Sequence, residues 1–277
     1  MKLSRKLLVM ALVLAFVFGA VNMVVANSHT TGPWYVNTGN YFGNVPYNLG
    51  LNAEILQQGN NDFATIDQDG VNFAHIGQGV DYQFAPPATG PSSGNAAMID
   101  QTGWYGEAEV NQRGSDNLAD IKQHKGSNNY AGVGQNGDLM VADIKQMMAT
   151  DSFVRASQFG GEGSEVSIMQ FGDLNRIRTT QQGDYHYGRV MQKNNSYFNY
   201  ASLDQRGSDQ TAYIYQKGEE NGALVEQAGS DNWAKVDQDG DHNAATVDQN
   251  NAFGLSALID QNGNDNTAAI TQTGGGL

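Results

Sequence analysis

From residue 51 to the C-terminus the chain is one short unit written again and again. The clearest copies lie between Gln227 and Gln249: Gln227-x-Gly229-x-x-Asn232-x-Ala234-x-Val236-x-Gln238, followed at once by Gln238-x-Gly240-x-x-Asn243-x-Ala245-x-Val247-x-Gln249. The period is 11 residues, with steps of 12 interspersed. Nineteen anchoring glutamines are readable: Gln57, Gln68, Gln78, Gln101, Gln112, Gln123, Gln135, Gln146, Gln158, Gln170, Gln181, Gln192, Gln205, Gln216, Gln227, Gln238, Gln249, Gln261 and Gln272. The step from Gln78 to Gln101 is 23 residues, which leaves room for one degenerate unit. A period this regular excludes an ordinary globular fold and points to a stacked repeat.

Within the unit, Asn, Ala, Ile or Val, and Gln are spaced by two. That spacing places them on one face of a β-strand and the intervening Asp, Lys, Glu, Thr and Tyr on the other. A helix is excluded, because residues two apart fall on opposite sides of it and a glycine every 11 residues would cost about 1 kcal/mol each. The aliphatic two residues before each Gln fails only at Ala156 and Thr179. The Gly-x-x-Asn piece predicts a tight turn, with Gly at φ > 0 and Asn or Asp tolerating the left-handed region. The turn glycines singled out are Gly59, Gly70, Gly103, Gly114, Gly229, Gly240 and Gly263.

One strand and one turn cannot bury an apolar face alone. Two units per coil, with coils stacked at ~4.8 Å, predict an all-β solenoid about 48 Å long if ten coils form. Its core is thin, made of Ala and small aliphatics from two opposed sheets. Burying an unpaired amide costs roughly 1–3 kcal/mol. The inward Gln and Asn therefore need partners, and in a stack each amide can bond its equivalent one coil away. The ladder residues expected from the best copies are Gln57, Gln68, Gln112, Asn117, Gln123, Gln227, Asn232, Gln238, Asn243, Gln249, Gln261, Asn266 and Gln272.

The unit resembles the curlin repeat, Gln-x-Gly-x-x-Asn-x-Ala-x-x-x-Gln, of the curli amyloid fibre subunits of Gram-negative bacteria. Gln112–Gln123, Gln227–Gln238, Gln238–Gln249 and Gln261–Gln272 match it at every fixed position. Other copies carry a change, such as Asp62 or Gln210 in place of Asn. The resemblance covers residues 51–277 and implies a secreted β-solenoid that polymerises end to end into a fibre of the biofilm matrix. It implies a nucleator subunit and an outer-membrane secretion pore as partners beside the chain itself. This chain departs from the family in having more units than a five-repeat subunit and in the insert near residue 85.

Taken in order, residues 1–26 read as a secretory signal: Lys2, Arg5 and Lys6, an apolar run from Leu7 to Ala20, and a Val24-Val25-Ala26 cleavage site. No other apolar run reaches membrane length. Residues 27–50 are Asn- and Gly-rich with Trp34, Tyr35, Tyr41, Phe42 and Tyr47, and are read as a targeting segment or tail. Residues 79–94 contain Pro86, Pro87 and Pro91, which cannot donate ladder bonds, so they form a loop expected to replace most of one strand. Between residues 147 and 200 the Ala column becomes Val154, Val166, Ile177 and Gly188. Arg155, Arg176, Arg178, Arg189 and Lys193 gather in the same stretch, either as a solvated face or as a patch that meets acidic regions of a neighbouring subunit. The last units are the strictest, and without a polar cap their open edge is an addition surface.

The net charge is −14, which opposes nucleic-acid binding. There is no cysteine, the five histidines share no metal-like spacing, and no serine has a histidine partner in a catalytic pattern. No cofactor and no catalytic residue is therefore expected. An enzyme on a parallel β-helix would need a cleft with clustered acids, and the one sizeable insert holds only Asp81. The readings left are a fibre subunit, major or nucleating, and a non-polymerising β-solenoid adhesin.

Overall fold

The computed structural model describes residues 23–28, 35–37, 52–57, 59–60, 62–78, 92–193 and 196–274. These residues form strands joined by turns, with no helix among them. Every strand pairing is parallel. Successive units alternate between two stacks, so the chain winds a β-solenoid of two facing sheets.

The first sheet runs through the strands Leu118–Ser127, Val141–Met147, Glu165–Phe171, Tyr187–Gln192, Thr211–Lys217, Trp233–Asp239 and Ser256–Asn262. The second runs through Tyr130–Asp138, Phe153–Glu162, Arg176–Asp184, Tyr200–Ser208, Gly222–Ser230, Ala244–Phe253 and Thr267–Thr273. The long strands Phe63–Gln78 and Ala96–Arg113 each turn a corner and serve both sheets. In the second sheet the strand Asn52–Gln57 lies beneath Phe73–Gln78.

Period-2 burial follows the sequence pattern throughout. Val141–Met147 and Trp233–Asp239, for example, alternate half-buried and buried residues along their whole length. The inward Ala and Ile/Val columns make one core from Ile55 to Ile259. Thr179, one of the two breaks in the aliphatic column, is buried, and its hydroxyl donates to the Arg155 carbonyl at 3.5 Å. At Gly188 the missing side chain is replaced from the facing sheet: a Cβ there would lie 2.7 Å from Leu203 Cδ2. The larger Leu203 fills the space that a smaller column residue vacates, which keeps the core close-packed.

Among the described residues no degenerate unit stands between Gln78 and Gln101. Gln78 lies in the second sheet and Gln101 in the first, where it stacks on Gln68. The two pair with successive layers directly, and no ladder strand is missing from either sheet among the described residues. Gln68 to Gln261 spans eight coil steps, about 38 Å at ~4.8 Å each. Residues 79–91 of the insert lie outside the described residues; Ser92–Ser93 pairs with Gly59–Asn60.

The expected export signal lies outside the described residues up to residue 22. Its last four residues belong to a strand, Met23–Ser28, laid parallel against Phe63–Gln68. Of the Asn/Gly-rich segment only Asn27, Ser28 and the strand Tyr35–Asn37 are described; the latter pairs with Asn52–Gln57.

Candidate functional site

The anchoring glutamines form two continuous ladders inside the solenoid. In the first sheet the side chains of Gln68, Gln101, Gln123, Gln146, Gln170, Gln192, Gln216, Gln238 and Gln261 are joined one to the next at 2.6–3.0 Å. In the second, Gln78, Gln112, Gln135, Gln158, Gln181, Gln205, Gln227, Gln249 and Gln272 do the same at 2.8–3.0 Å. Gln57 stacks in register beneath Gln78. In all these bonds Nε2 donates to Oε1 of the coil nearer the C-terminus. The ladders are therefore polar, with a donor at the C-terminal end and an acceptor at the other.

The second Nε2 hydrogen crosses to the opposite sheet. Gln123 donates to the Glu107 carbonyl at 3.2 Å, Gln135 to Leu118 at 3.0 Å, Gln238 to Gly222 at 3.1 Å and Gln272 to Ser256 at 3.1 Å. Glutamines such as Gln123, Gln135, Gln158, Gln181, Gln205, Gln216, Gln227, Gln238 and Gln249 thus tie their coil to the next and their sheet to the facing one. This second role was not legible in the period, because spacing along one strand says nothing about the carbonyl opposite. The anchors outside the best-matching copies, Gln146 and Gln158 among them, do the same work as those within.

The asparagines do not form the amide-to-amide ladder expected of them. Asn117 Oδ1 accepts the backbone N–H of Met140 at 2.9 Å, and its Nδ2 donates to the Gly137 carbonyl at 2.7 Å. Asn221 bonds Asn243 N and the Gly240 carbonyl in the same way, and Asn243 bonds Asn266 N and the Gly263 carbonyl. Asn232 accepts from Leu255 N at 2.9 Å. The Asn column therefore satisfies the turn backbone of the next coil, groups that a strand ladder leaves open. Asn266 differs: its Nδ2 turns back to Asn243 Oδ1 at 3.0 Å.

The turns place their glycines at positive φ, as expected, and an Asp in the left-handed region at three of the four strict copies. The left-handed residue is not the Asn but the one before it: Asp116, Asp231, His242 and Asp265 have φ of 54–59°. This frees the Asn to point inward, where Asn117, Asn232 and Asn243 are 1 % exposed. The turn glycines have a second cause besides their φ. A Cβ on Gly103 would lie 2.4 Å from the Gly126 carbonyl oxygen, one on Gly114 2.1 Å from that of Gly137, and one on Gly240 2.1 Å from that of Gly263. The coils touch through backbone at this corner. Gly229 has φ 116° and underlies the same column, Gly70 stacks in register on Gly103, and Gly59 sits in the short strand Gly59–Asn60. Above Gly263 nothing comes closer than Asn266 Nδ2 at 3.7 Å.

The C-terminal coil is where the pattern is left open. Thr267–Thr273 pairs on one edge only among the described residues, and its inward Ala268, Ile270 and Gln272 are half-buried where their counterparts below are buried. Gln261 and Gln272 keep their crossing bonds to Ala244 and Ser256, while the hydrogen that each earlier glutamine gives to the next coil has no acceptor there among the described residues.

The curlin-associated repeat model matches four segments, residues 106–137, 199–229, 218–250 and 251–274. No curated protein matches the chain. The matched segments contain the strict ladder copies, and the intervening units continue both ladders without a break. With repeat, register and inward amides in agreement, the chain is a curlin-repeat protein folded as a β-solenoid.

Proposed function

We propose that this chain is the structural subunit of a secreted, curli-like amyloid fibre that grows by stacking solenoids head to tail and serves in an extracellular biofilm matrix and in adhesion. The observation that carries the reading is the polar pair of glutamine ladders, ended at Gln261 and Gln272 by donors with no ladder acceptor among the described residues. A second copy can continue both ladders only by presenting acceptors, that is, its N-terminal coil. Two C-terminal ends would bring donor against donor. The open strand edge and the half-buried Ala268 and Ile270 act in the same direction, since edges of this kind are normally covered or blunted. By the resemblance, a nucleating subunit and an outer-membrane pore are the partners of such a chain in assembly and export.

The test uses residues 27–277 purified from denaturant and diluted into buffer, with thioflavin fluorescence and electron microscopy as readouts. Sigmoidal growth into fibres with a 4.7–4.8 Å reflection along the axis is the expected result. A β-rich chain that stays monomeric at high concentration would move the function to a non-polymerising adhesin.

A further inference from the structure

The outward face of the second sheet carries charge in an order that the ladders do not need. Arg155 and Arg178 are register neighbours on adjacent strands, both exposed, and neither has an ion pair among the described residues. Like charges stacked at ~4.8 Å destabilise a sheet, so the arrangement is a cost within one chain. The next strand, Tyr200–Ser208, holds an internal ion pair in which Arg206 Nη2 donates to Asp204 Oδ2 at 2.5 Å. Beyond it, Asp204, Glu226 and Asp248 stack in one row and line a shallow cleft of about 80 Å³.

We propose that this face docks a second copy of the same chain, with the two solenoid axes antiparallel and the two-fold axis along the strand Tyr200–Ser208. The proposal is separate from end-to-end growth, because the face lies at right angles to the stacking direction. Arg178 lies one strand to one side of Tyr200–Ser208 and Glu226 one strand to the other; Arg155 and Asp248 lie two strands away on the same respective sides. A two-fold axis along the middle strand therefore sets each arginine strand against the matching acidic strand of the other copy. Arginine and acid are two residues out of line along the strand, about 7 Å, which a guanidinium on its long stem spans. Such an isologous contact closes on itself. A polyanion is the poorer occupant: after covering two arginines it would run into Asp204, Glu226 and Asp248 within about 10–15 Å on the same flat face.

The full chain has no cysteine, so a single substitution reports the contact. Ser202 is outward on the middle strand, and in the docked pair Ser202→Cys of one copy meets Ser202→Cys of the other. Kept soluble at low salt and oxidised mildly, S202C is expected to give a disulfide-linked dimer several-fold faster than the same chain at 0.5 M salt. Adding R155E and R178E, or E226R and D248R, should each abolish the dimer, and mixing the two charge variants should restore it. Cross-linking that ignores these swaps, or that never occurs in soluble S202C, overturns the proposal. So does a heparin fragment that binds the wild-type chain, is lost with R155E/R178E and tightens with E226R/D248R, which would assign the patch to a polyanion. Because the readout is taken on soluble chains, failure to form fibres would count against the proposed function and leave this test standing.

Discussion

Asn266 turns its side-chain amide back onto Asn243 Oδ1 at 3.0 Å, whereas Asn243 reaches forward to the Gly263 carbonyl at 2.7 Å. The two residues occupy equivalent places in consecutive coils of the second sheet. They differ only in what lies above them. Asn243 has a turn carbonyl overhead, and Asn266 has none among the described residues. The same contrast separates Gln249, which donates to Gln272 at 2.8 Å, from Gln272 itself. The end of the solenoid is thus chemically identical to its middle and unfinished.

Substituting a ladder glutamine should therefore act differently by position. Gln158→Leu leaves the donor of Gln135 and the acceptor of Gln181 without partners and removes donations to the Val141 and Ser164 carbonyls. The expected cost is about 3–4 kcal/mol, read from urea unfolding of the soluble chain, because each orphaned buried group costs ~1–3 kcal/mol. Gln272→Leu removes two bonds at the solvated edge, the one accepted from Gln249 and the one donated to the Ser256 carbonyl, and should lower the unfolding midpoint clearly less than Gln158→Leu. It should slow seeded fibre elongation roughly tenfold, the equivalent of one lost bond of ~1.4 kcal/mol at the junction. Equal elongation rates for Q272L and wild type would refute the ladder as the growth surface.

The glycine column offers a second contrast. Gly240→Ala forces a Cβ to within 2.1 Å of the Gly263 carbonyl oxygen, besides straining a residue at φ 133°. It should destabilise the monomer by several kcal/mol. Gly263→Ala carries similar backbone strain at φ 106° but meets no coil above it. Its unfolding midpoint should fall less than that of G240A, while its fibre growth should be blocked as fully. Measured side by side, G263A fibres growing at the wild-type rate would show that the Gly263 corner is not an assembly contact.

Assembly should accelerate as pH falls from 8 towards the isoelectric point of about 4.5. The chain carries a net charge of −14, and like charges also stack directly: Asp237 on Asp260, Asp67 on Asp100, and Glu226 on Asp248. Lys235, 3.0 Å from Asp237, offsets part of one such pair. Protonation removes the repulsion between coils and between copies. Thioflavin half-times across pH 4–8 check this, and Asp237→Asn with Asp260→Asn should flatten the profile. Half-times that do not change with pH would remove charge repulsion as the brake.

His186 should work in the opposite direction on the monomer. It stands in the Asn column, is 1 % exposed, and shares a 3.1 Å hydrogen bond between Nε2 and the Gln182 carbonyl. Burial holds its imidazole below the ordinary histidine range, with the Gln182 bond and the nearby Asp184 and Asp209 pulling the other way. The folded state therefore keeps this ring neutral, while the unfolded chain takes up a proton near pH 6.5. The contribution is complete above that pH and is lost as pH falls below it. His186→Asn restores the column residue, and the drop in urea midpoint between pH 7 and pH 5 should be smaller than in wild type. Identical drops would show that His186 is not the sensitive group.

The period-2 spacing of Asn, Ala, Ile/Val and Gln is enough to assign strand, inward face and the glutamine ladder, because a strand has a single repeat of two and amides cannot be buried alone. The Asn column bonds differently from the Gln column. Oδ1 and Nδ2 of Asn117 bond the Met140 N–H and the Gly137 carbonyl, partners some twenty residues away that no local pattern names. The 23-residue step was ambiguous for a similar reason. Whether it hides a unit depends on which sheet Gln101 joins, and that is a matter of stacking, settled by its bond to Gln68.

The sequence by itself determined a parallel β-solenoid: an 11-residue beat held over nineteen units leaves stacking as the only way to bury its apolar face and pair its amides. Tertiary structure alone decided the direction of the ladders, the staple from these glutamines to the facing sheet, the backbone contact that demands glycine at each corner, and the placing of Arg155 and Arg178 opposite in order to Glu226 and Asp248. Each of these depends on neighbours 16 to 34 residues distant, brought together by the coil and invisible along the strand.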